Sequence, residues 1–409
     1  MLAVTVITGI LLTWVLLSRR LARWSITAPI AMLAAGIALT GGSDPVLRFD
    51  LDRAAFEHAV EVVLALILFA DATEIPAGVI RGEKALVGRL LGGALPLTLG
   101  AAFLTGLAFF PEQPGWTLAV LATVVVPLDL APTAALVRDR RIPARLRDVL
   151  NVEGGLNDGI ISPVFLLCVA VGVESHTRST DYGEALLEAI EAAGWAVAAG
   201  SVVGCTTGWL LRRSWEHGWA HHSATRIGVL TVPVTAYALS VSLGGNGFVA
   251  AFVAGVCFAP AARHLPADAV ETTNDLVTLL TVALWFLFGQ IVNDEFWDGF
   301  QTSVVLYAIV AVTLVRMVPV MLVLTGSGLP TTDRLFLGWL GPRGVSSIVF
   351  GLLAVVELPD RSGDFVARVM AMTVMVSIVL HGLSAEPIGR FYGRGKGPPR
   401  PDSRTEAAS

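Results

Sequence analysis

The chain has 409 residues, of which 54% are hydrophobic and only 15% charged, and its mean hydropathy is +0.71. A water-soluble core cannot hide that much apolar surface, so the soluble globular and disordered classes are excluded. The net charge of -5 comes with no basic stripe and no aromatic-basic interleaving, which removes nucleic acid as a partner.

Apolar runs recur from the first residue onward. Most extend to the roughly 20 residues that cross a bilayer as helix. The runs are apolar on all sides, which argues against a lipid-facing β-barrel, whose strands alternate. In chain order the predicted spans are 2–18, 25–41, 57–73, 85–109, 115–137, 147–173, 186–211, 225–243, 246–260, 272–291, 300–325, 333–357 and 364–386, about thirteen in all. The first span begins at Met1 without a basic leader or a small-residue cleavage site, and is read as retained.

With the N-terminus outside, about 21 of the 28 Lys and Arg fall on the cytoplasmic face, about five outside and two, Arg316 and Arg343, within the membrane. The opposite orientation fails this positive-inside count. The expected organisation is a transmembrane domain over 1–390 in the cell membrane, then a short disordered cytoplasmic tail over 391–409 made of Gly, Pro, Ser and charge. Cys168, Cys205 and Cys257 are scattered inside apolar runs and read as small packing residues. His217, His221 and His222 share one predicted cytoplasmic loop, where solvation is the default.

An ionisable group in hydrocarbon costs about 2.5–3.5 kcal/mol on insertion scales, so each one needs a reason. Asp71 lies near the cytoplasmic end of the third span, either in the membrane or solvated at its edge. The fifth span reads Pro127-Leu128-Asp129-Leu130-Ala131-Pro132-Thr133. Two prolines five residues apart each remove an N–H donor and obstruct a carbonyl one turn earlier, so this span is predicted to break near mid-membrane. The break would leave free carbonyls beside a carboxylate, a hard-oxygen setting for a small cation. A simple proline kink would not explain the aspartate between the prolines.

The sixth span carries Glu153, Asn157 and Asp158. Glu153 and Asn157 share a face, while Asp158 is turned about 100° from Asn157. The twelfth span holds Gly341-Pro342-Arg343-Gly344, a second interruption around a lone arginine. Glu153 is the expected partner of Arg343 in a structural ion pair, and Arg316 is expected to pack inward on a carbonyl or carboxylate. Two interrupted spans, one in each half of the chain, point to an inverted-repeat transporter with a midplane site.

At these residues the chain resembles the monovalent cation/proton antiporters of the NhaP and NHE type. The likeness runs over roughly 1–390. It rests on Glu153 followed by Asn157-Asp158 and on the motif around Arg343. Supporting it are Leu68-Phe69-Ala70-Asp71-Ala72, the run Gly247–Gly255 and His381-Gly382-Leu383-Ser384-Ala385. The chain departs at position 128, where members carry threonine and this sequence has Leu128; Thr133 is a candidate substitute. The resemblance implies an all-α polytopic NhaA-like antiporter fold with two discontinuous crossing helices, assembled as a homodimer in which a core moves against a scaffold.

The mechanism it implies is competition at Asp158 between a proton and Na+, Li+ or K+. Asp129, Asn157, Thr133, the carbonyls from Leu128 to Pro132, and Asp71 are the further candidate ion- or proton-binding groups. Asn157 stands where electrogenic relatives of the fold have a second carboxylate, which implies one-for-one, electroneutral exchange serving pH and cation homeostasis. No cofactor beyond the transported ions and no enzymatic activity is expected. The rival classes are a channel or sensor on the same fold and an intramembrane aspartyl protease using Asp129 and Asp158.

Overall fold

The computed structural model describes residues 2–23, 27–41, 53–75, 82–177, 182–297, 301–359 and 361–393. Among the described residues every regular element is a helix. The first four are α1 (Leu2–Arg23), α2 (Ala28–Thr40), α3 (Arg53–Thr73) and α4 (Lys84–Phe109), the last with a π-helical turn at Leu90–Ala94. Next come α5 (Gly115–Val125), α6 (Ala134–Val137), α7 (Ala144–Thr177), α8 (Tyr182–Glu216) and α9 (His222–Ser242). The last six are α10 (Gly247–Ala261), α11 (Glu271–Trp297), α12 (Thr302–Val323), α13 (Thr331–Trp339), α14 (Val345–Glu357) and α15 (Ser362–Gly393).

Among the described residues, seven helices are long and apolar enough to cross a membrane by length and composition, and five more are shorter and apolar. Several outrun the spans predicted from hydropathy. The helix α7 has 34 residues and is therefore about 51 Å long. Its backbone stays helical through the polar residues at both ends, where hydropathy alone sees a boundary. The expected tail starts inside α15, which continues to Gly393; residues 394–409 lie outside the described part.

The two predicted interruptions are both present. One separates α5 from α6 around Pro127 and Pro132, and the other separates α13 from α14 at Leu340–Gly344. Like the π-helical turn in α4, a bend of α12 at Thr313, where φ is -102° and ψ is -83°, was unforeseen.

Lipid is as apolar as leucine, so these helices are held by van der Waals fit and hydrogen bonds rather than by escape from water. Close approach is the first device. Gly200, Gly204 and Gly208 line one face of α8, and a Cβ at any of them would press into Ala250, Ala254 or Ala261 of α10. Gly36 of α2 meets Gly289 of α11 backbone to backbone in the same way. Aromatic packing is the second. Phe110 lies 5.0 Å from Phe365 and 5.3 Å from Tyr307, centroid to centroid, and Phe165 lies 4.9 Å from Phe350. Leu16, Leu104, Leu322 and Leu383 point outward, as a lipid-facing belt requires.

Candidate functional site

The site forms where the two interruptions touch. Pro127 has no N–H, so α5 ends at Val125, and the backbone over 127–130 is free to bond elsewhere. The Asp129 N–H would reach the Val125 carbonyl in a continuous helix; it donates instead to the Pro342 carbonyl at 2.9 Å. The Asp129 carboxylate then accepts from two backbone N–H groups, Ala131 at 2.8 Å and Val345 at 2.7 Å. Val345 is the first residue of α14, so this carboxylate sits on the positive end of that helix and satisfies one of its free donors. Gly344 is required for the approach, because a Cβ there would collide with the Asp129 carboxylate.

Arg343 makes the reciprocal contact. Its side chain is fully buried, its Nε donates to the Val125 carbonyl, and its Nη1 donates to the Gly341 carbonyl at 2.6 Å. The guanidinium therefore caps the negative, carbonyl end of α5. The expected ion pair of Glu153 with Arg343 is not formed.

Glu153 is paired instead with Arg316, through Nη1–Oε1 at 2.9 Å and Nη2–Oε2 at 3.0 Å, and Arg316 also donates to the Leu337 carbonyl at 3.1 Å. The reason is steric and electrostatic together. Arg316 follows the bend of α12, and its side chain passes over Gly341, where a Cβ would strike its Cδ and Nε. Arg343 is drawn the other way by the free carbonyls of α5. The inward packing expected of Arg316 is thus observed, on a carboxylate and a carbonyl at once.

Asp158 is 2% exposed; its Oδ2 accepts a hydrogen bond from the Ser346 hydroxyl, and its Oδ1 has no partner among the described residues. Asn157, 1% exposed, likewise leaves Oδ1 unpartnered. Asp71 and Asp129 lie within electrostatic reach of Asp158, so α3, the α5–α6 break and α7 bring three carboxylates to one locality. Among the described residues no three His, Cys, Asp or Glu side chains are grouped as a set that could hold a metal ion. The Thr133 hydroxyl donates to the Leu130 carbonyl at 3.3 Å, at its own 3-10 turn. The Leu128 side chain is buried against Gly341.

Sequence reasoning missed Ser346. The one signal was a pair of serines, Ser346-Ser347, immediately after an interruption and inside an apolar run, where hydroxyls are otherwise wasted. Both are buried, and the Ser347 Oγ is unpartnered among the described residues. The role of the run from His381 is also now visible. Ser377 accepts the Arg343 N–H at 2.7 Å, a His381 ring nitrogen bonds the Trp339 carbonyl at 2.9 Å, and Ser384 accepts the Trp339 indole N–H at 2.9 Å. One face of α15 thereby holds the extended segment between α13 and α14. Asn246, at the head of the Gly247–Gly255 run, caps α10 by accepting from the Phe248 and Val249 N–H groups at 3.0 and 3.1 Å.

Two broken helices tied at their breaks, with an aspartate sealed beside them in an apolar bundle, define a polytopic membrane protein with the architecture of secondary transporters. The profile of the family described as "Sodium/hydrogen exchanger, transmembrane" matches residues 4–390, and the chain belongs to that family. Two curated relatives illustrate the distance. The K(+)/H(+) antiporter NhaP of Alkalimonas amylolytica is 24% identical over 380 residues, covering 90% of this chain and 63% of that protein. A Na(+)/H(+) antiporter of Schizosaccharomyces pombe is 22% identical over 364 residues, covering 79% of this chain and 75% of that one. Among solved structures, the sodium proton antiporter MjNhaP1 of Methanocaldococcus jannaschii at pH 8 superposes with a TM-score of 0.76 at 19% identity, over 95% of this chain and 99% of that one. The fold is therefore that of the NhaP antiporter. This chain spans less than two thirds of the length of the Alkalimonas relative.

Proposed function

We propose that the chain exchanges a monovalent cation, Na+, Li+ or K+, for protons across the cell membrane. Asp158 is the group that carries either ion. The observation that supports this most is its state: a carboxylate almost fully buried, one oxygen on a single hydroxyl and the other unpartnered among the described residues, beside two helix breaks. A buried charge in that condition is costly, so it gains from whichever cation or proton reaches it. The core then moves only when the carboxylate is neutralised, and that requirement couples the two fluxes.

Asp129 and Asp71 supply negative potential around Asp158, and Asp129 keeps lone pairs free beyond its two backbone bonds. Asn157 offers an oxygen without adding a titrating charge, which supports one-for-one exchange. The site has a graded approach: Asp158 is buried, Asp71 and Asp129 are half-buried, and Glu74 and Ala131 are exposed. In the positive-inside orientation, N-terminus outside and C-terminus cytoplasmic, that approach is from the cytoplasm. Pairing of two chains as a homodimer, with a moving core against a fixed scaffold, and service in pH and cation homeostasis belong to the same reading. An aspartyl protease needs two aspartates that share one proton, whereas the hydrogen bonds of Asp129 come from the Ala131 and Val345 N–H groups and that of Asp158 from the Ser346 hydroxyl.

The test is cation-dependent proton flux in proteoliposomes. Asp158→Asn keeps size and polarity, and is expected to abolish exchange while the purified protein melts near the wild-type temperature. Sustained cation-dependent proton flux in that variant would remove Asp158 from the role. Proton flux uncoupled from any cation in the wild type would favour a channel.

A further inference from the structure

The threonine hydroxyl that the family resemblance expects at position 128 is absent, and Leu128 sets an apolar side chain in its place. Leu128 is buried and turned onto Gly341, and the Thr133 hydroxyl donates to the Leu130 carbonyl. The opposite side does carry a hydroxyl. Ser346 is the second residue of α14, it is 4% exposed, and its Oγ is bonded to Asp158. It is held there by the crossing itself, since the neighbouring Val345 N–H is fixed on Asp129. We propose that the Ser346 hydroxyl is the neutral ligand that completes the cation site on Asp158, standing in for the missing threonine from the other broken helix, and that it sets cation affinity and choice. This inference rests on the antiport reading above.

A hydroxyl suits the task because it has one donor and two acceptor lone pairs, and its hydrogen rotates. With no cation bound, Ser346 donates to the ionised Asp158. When a dehydrated Na+ or Li+ arrives, the hydrogen turns away and a lone pair of Oγ faces the ion, with the carboxylate on the other side. The oxygen stays in place through both states, so occupancy changes without repacking α14 against α7. The Asn157 and Ser347 oxygens, unpartnered among the described residues, lie in the same buried stretch of α7 and α14 and extend the supply of hard ligands. A small cation is held by fewer oxygens than K+, each at shorter range and with a stronger attraction, so loss of Oγ falls hardest on Li+ and Na+.

The full chain in proteoliposomes is the system, with apparent KM and maximal rate measured separately for Li+, Na+ and K+ at fixed pH. Ser346→Ala is expected to raise the KM for Na+ and Li+ by about tenfold, the scale of one hydroxyl interaction, and the KM for K+ by less. The maximal rate is expected to stay within about twofold, because Asp158 still titrates. Ser346→Cys keeps the volume but offers a soft sulfur that hard cations disfavour, so it should behave like Ser346→Ala and guards against a cavity effect. Ser346→Thr is expected to keep the wild-type KM. Adding Leu128→Thr to Ser346→Ala is expected to recover at least about threefold of the lost affinity, by returning a hydroxyl from the other side.

An unchanged KM for all three cations in both Ser346→Ala and Ser346→Cys would overturn the assignment. So would a fall in maximal rate with KM unmoved. If either result is found while Asp158→Asn still abolishes exchange, the antiport reading stands and only the role of Ser346 falls; if the wild-type chain exchanges no cation, that reading itself fails.

Discussion

The buried pair of Glu153 and Arg316 offers a quantitative test of how charge is handled in this bundle. Both side chains are below 5% exposed, and the guanidinium donates three hydrogen bonds, two to Glu153 and one to the Leu337 carbonyl. Glu153→Gln preserves shape but leaves the arginine charge with only dipoles around it, a loss of about 3–5 kcal/mol for a buried pair broken on one side. Arg316→Met strands Glu153 and should cost a similar amount. The double variant removes both charges together with their desolvation penalty, so it should lose less than either single variant, a coupling of about 3 kcal/mol or more. Equilibrium unfolding in mixed micelles, with the wild type and all three variants, measures that coupling. The companion cycle of Glu153→Gln with Arg343→Met should couple by clearly less, because those side chains share no hydrogen bond and interact only through space. Additive losses for Glu153 with Arg316, or a large coupling for Glu153 with Arg343, would refute the assignment of partners.

Three other perturbations follow from the same geometry. Asp129→Asn removes the charge on the start of α14 and should cost about 1–2 kcal/mol of stability while weakening cation affinity; unchanged melting and unchanged KM would show that the carboxylate serves neither purpose. Gly341→Ala places a methyl where the Arg316 side chain passes, so it should reproduce the instability of Glu153→Gln and add nothing to it in the double variant; a fully additive double would mean that the arginine takes another route. In proteoliposomes with equal pH and cation on both sides, a clamped membrane potential should drive no proton movement. One uncompensated charge per cycle would feel about 2.3 kcal/mol per 100 mV, so potential-driven flux that depends on Asp158 would overturn one-for-one exchange and implicate Asp71 or Asp129 as a second carrier.

The class, both interruptions and the buried aspartate were legible because each leaves a one-dimensional trace. Apolar length reads as a span, Pro127 with Pro132 reads as a break, and Asp158 in an apolar run needs a reason. The partner of Glu153 was not legible, because Arg316 and Arg343 are equally buried arginines in the sequence. The choice between them depends on a gap left by Gly341 and on the direction in which free carbonyls point. Gly341 itself was read as an interrupter of helix, whereas in space it is the passage for another residue's side chain. Ser346 was overlooked because a hydroxyl near a helix start ordinarily serves its own backbone, and only the crossing shows that it serves Asp158. The row Gly200, Gly204, Gly208 repeats every four residues in the sequence, but nothing in that spacing names α10 as the helix it packs against.

The crossing also constrains which sequences can occupy it. In an ordinary ion pair the two residues are interchangeable, since reversing both charges restores the attraction. Asp129 and Arg343 are not partners of each other in that sense; each answers the end of a half-helix from the opposite half of the chain, Asp129 the N–H end of α14 and Arg343 the carbonyl end of α5. The direction of the polypeptide fixes the sign of each end, so it fixes the sign of each side chain. Exchanging the two residues would set a cation against donors and a carboxylate against acceptors, two repulsions in place of two attractions. The polarity of the chain is thus recorded in its charges, and no compensating swap can erase it.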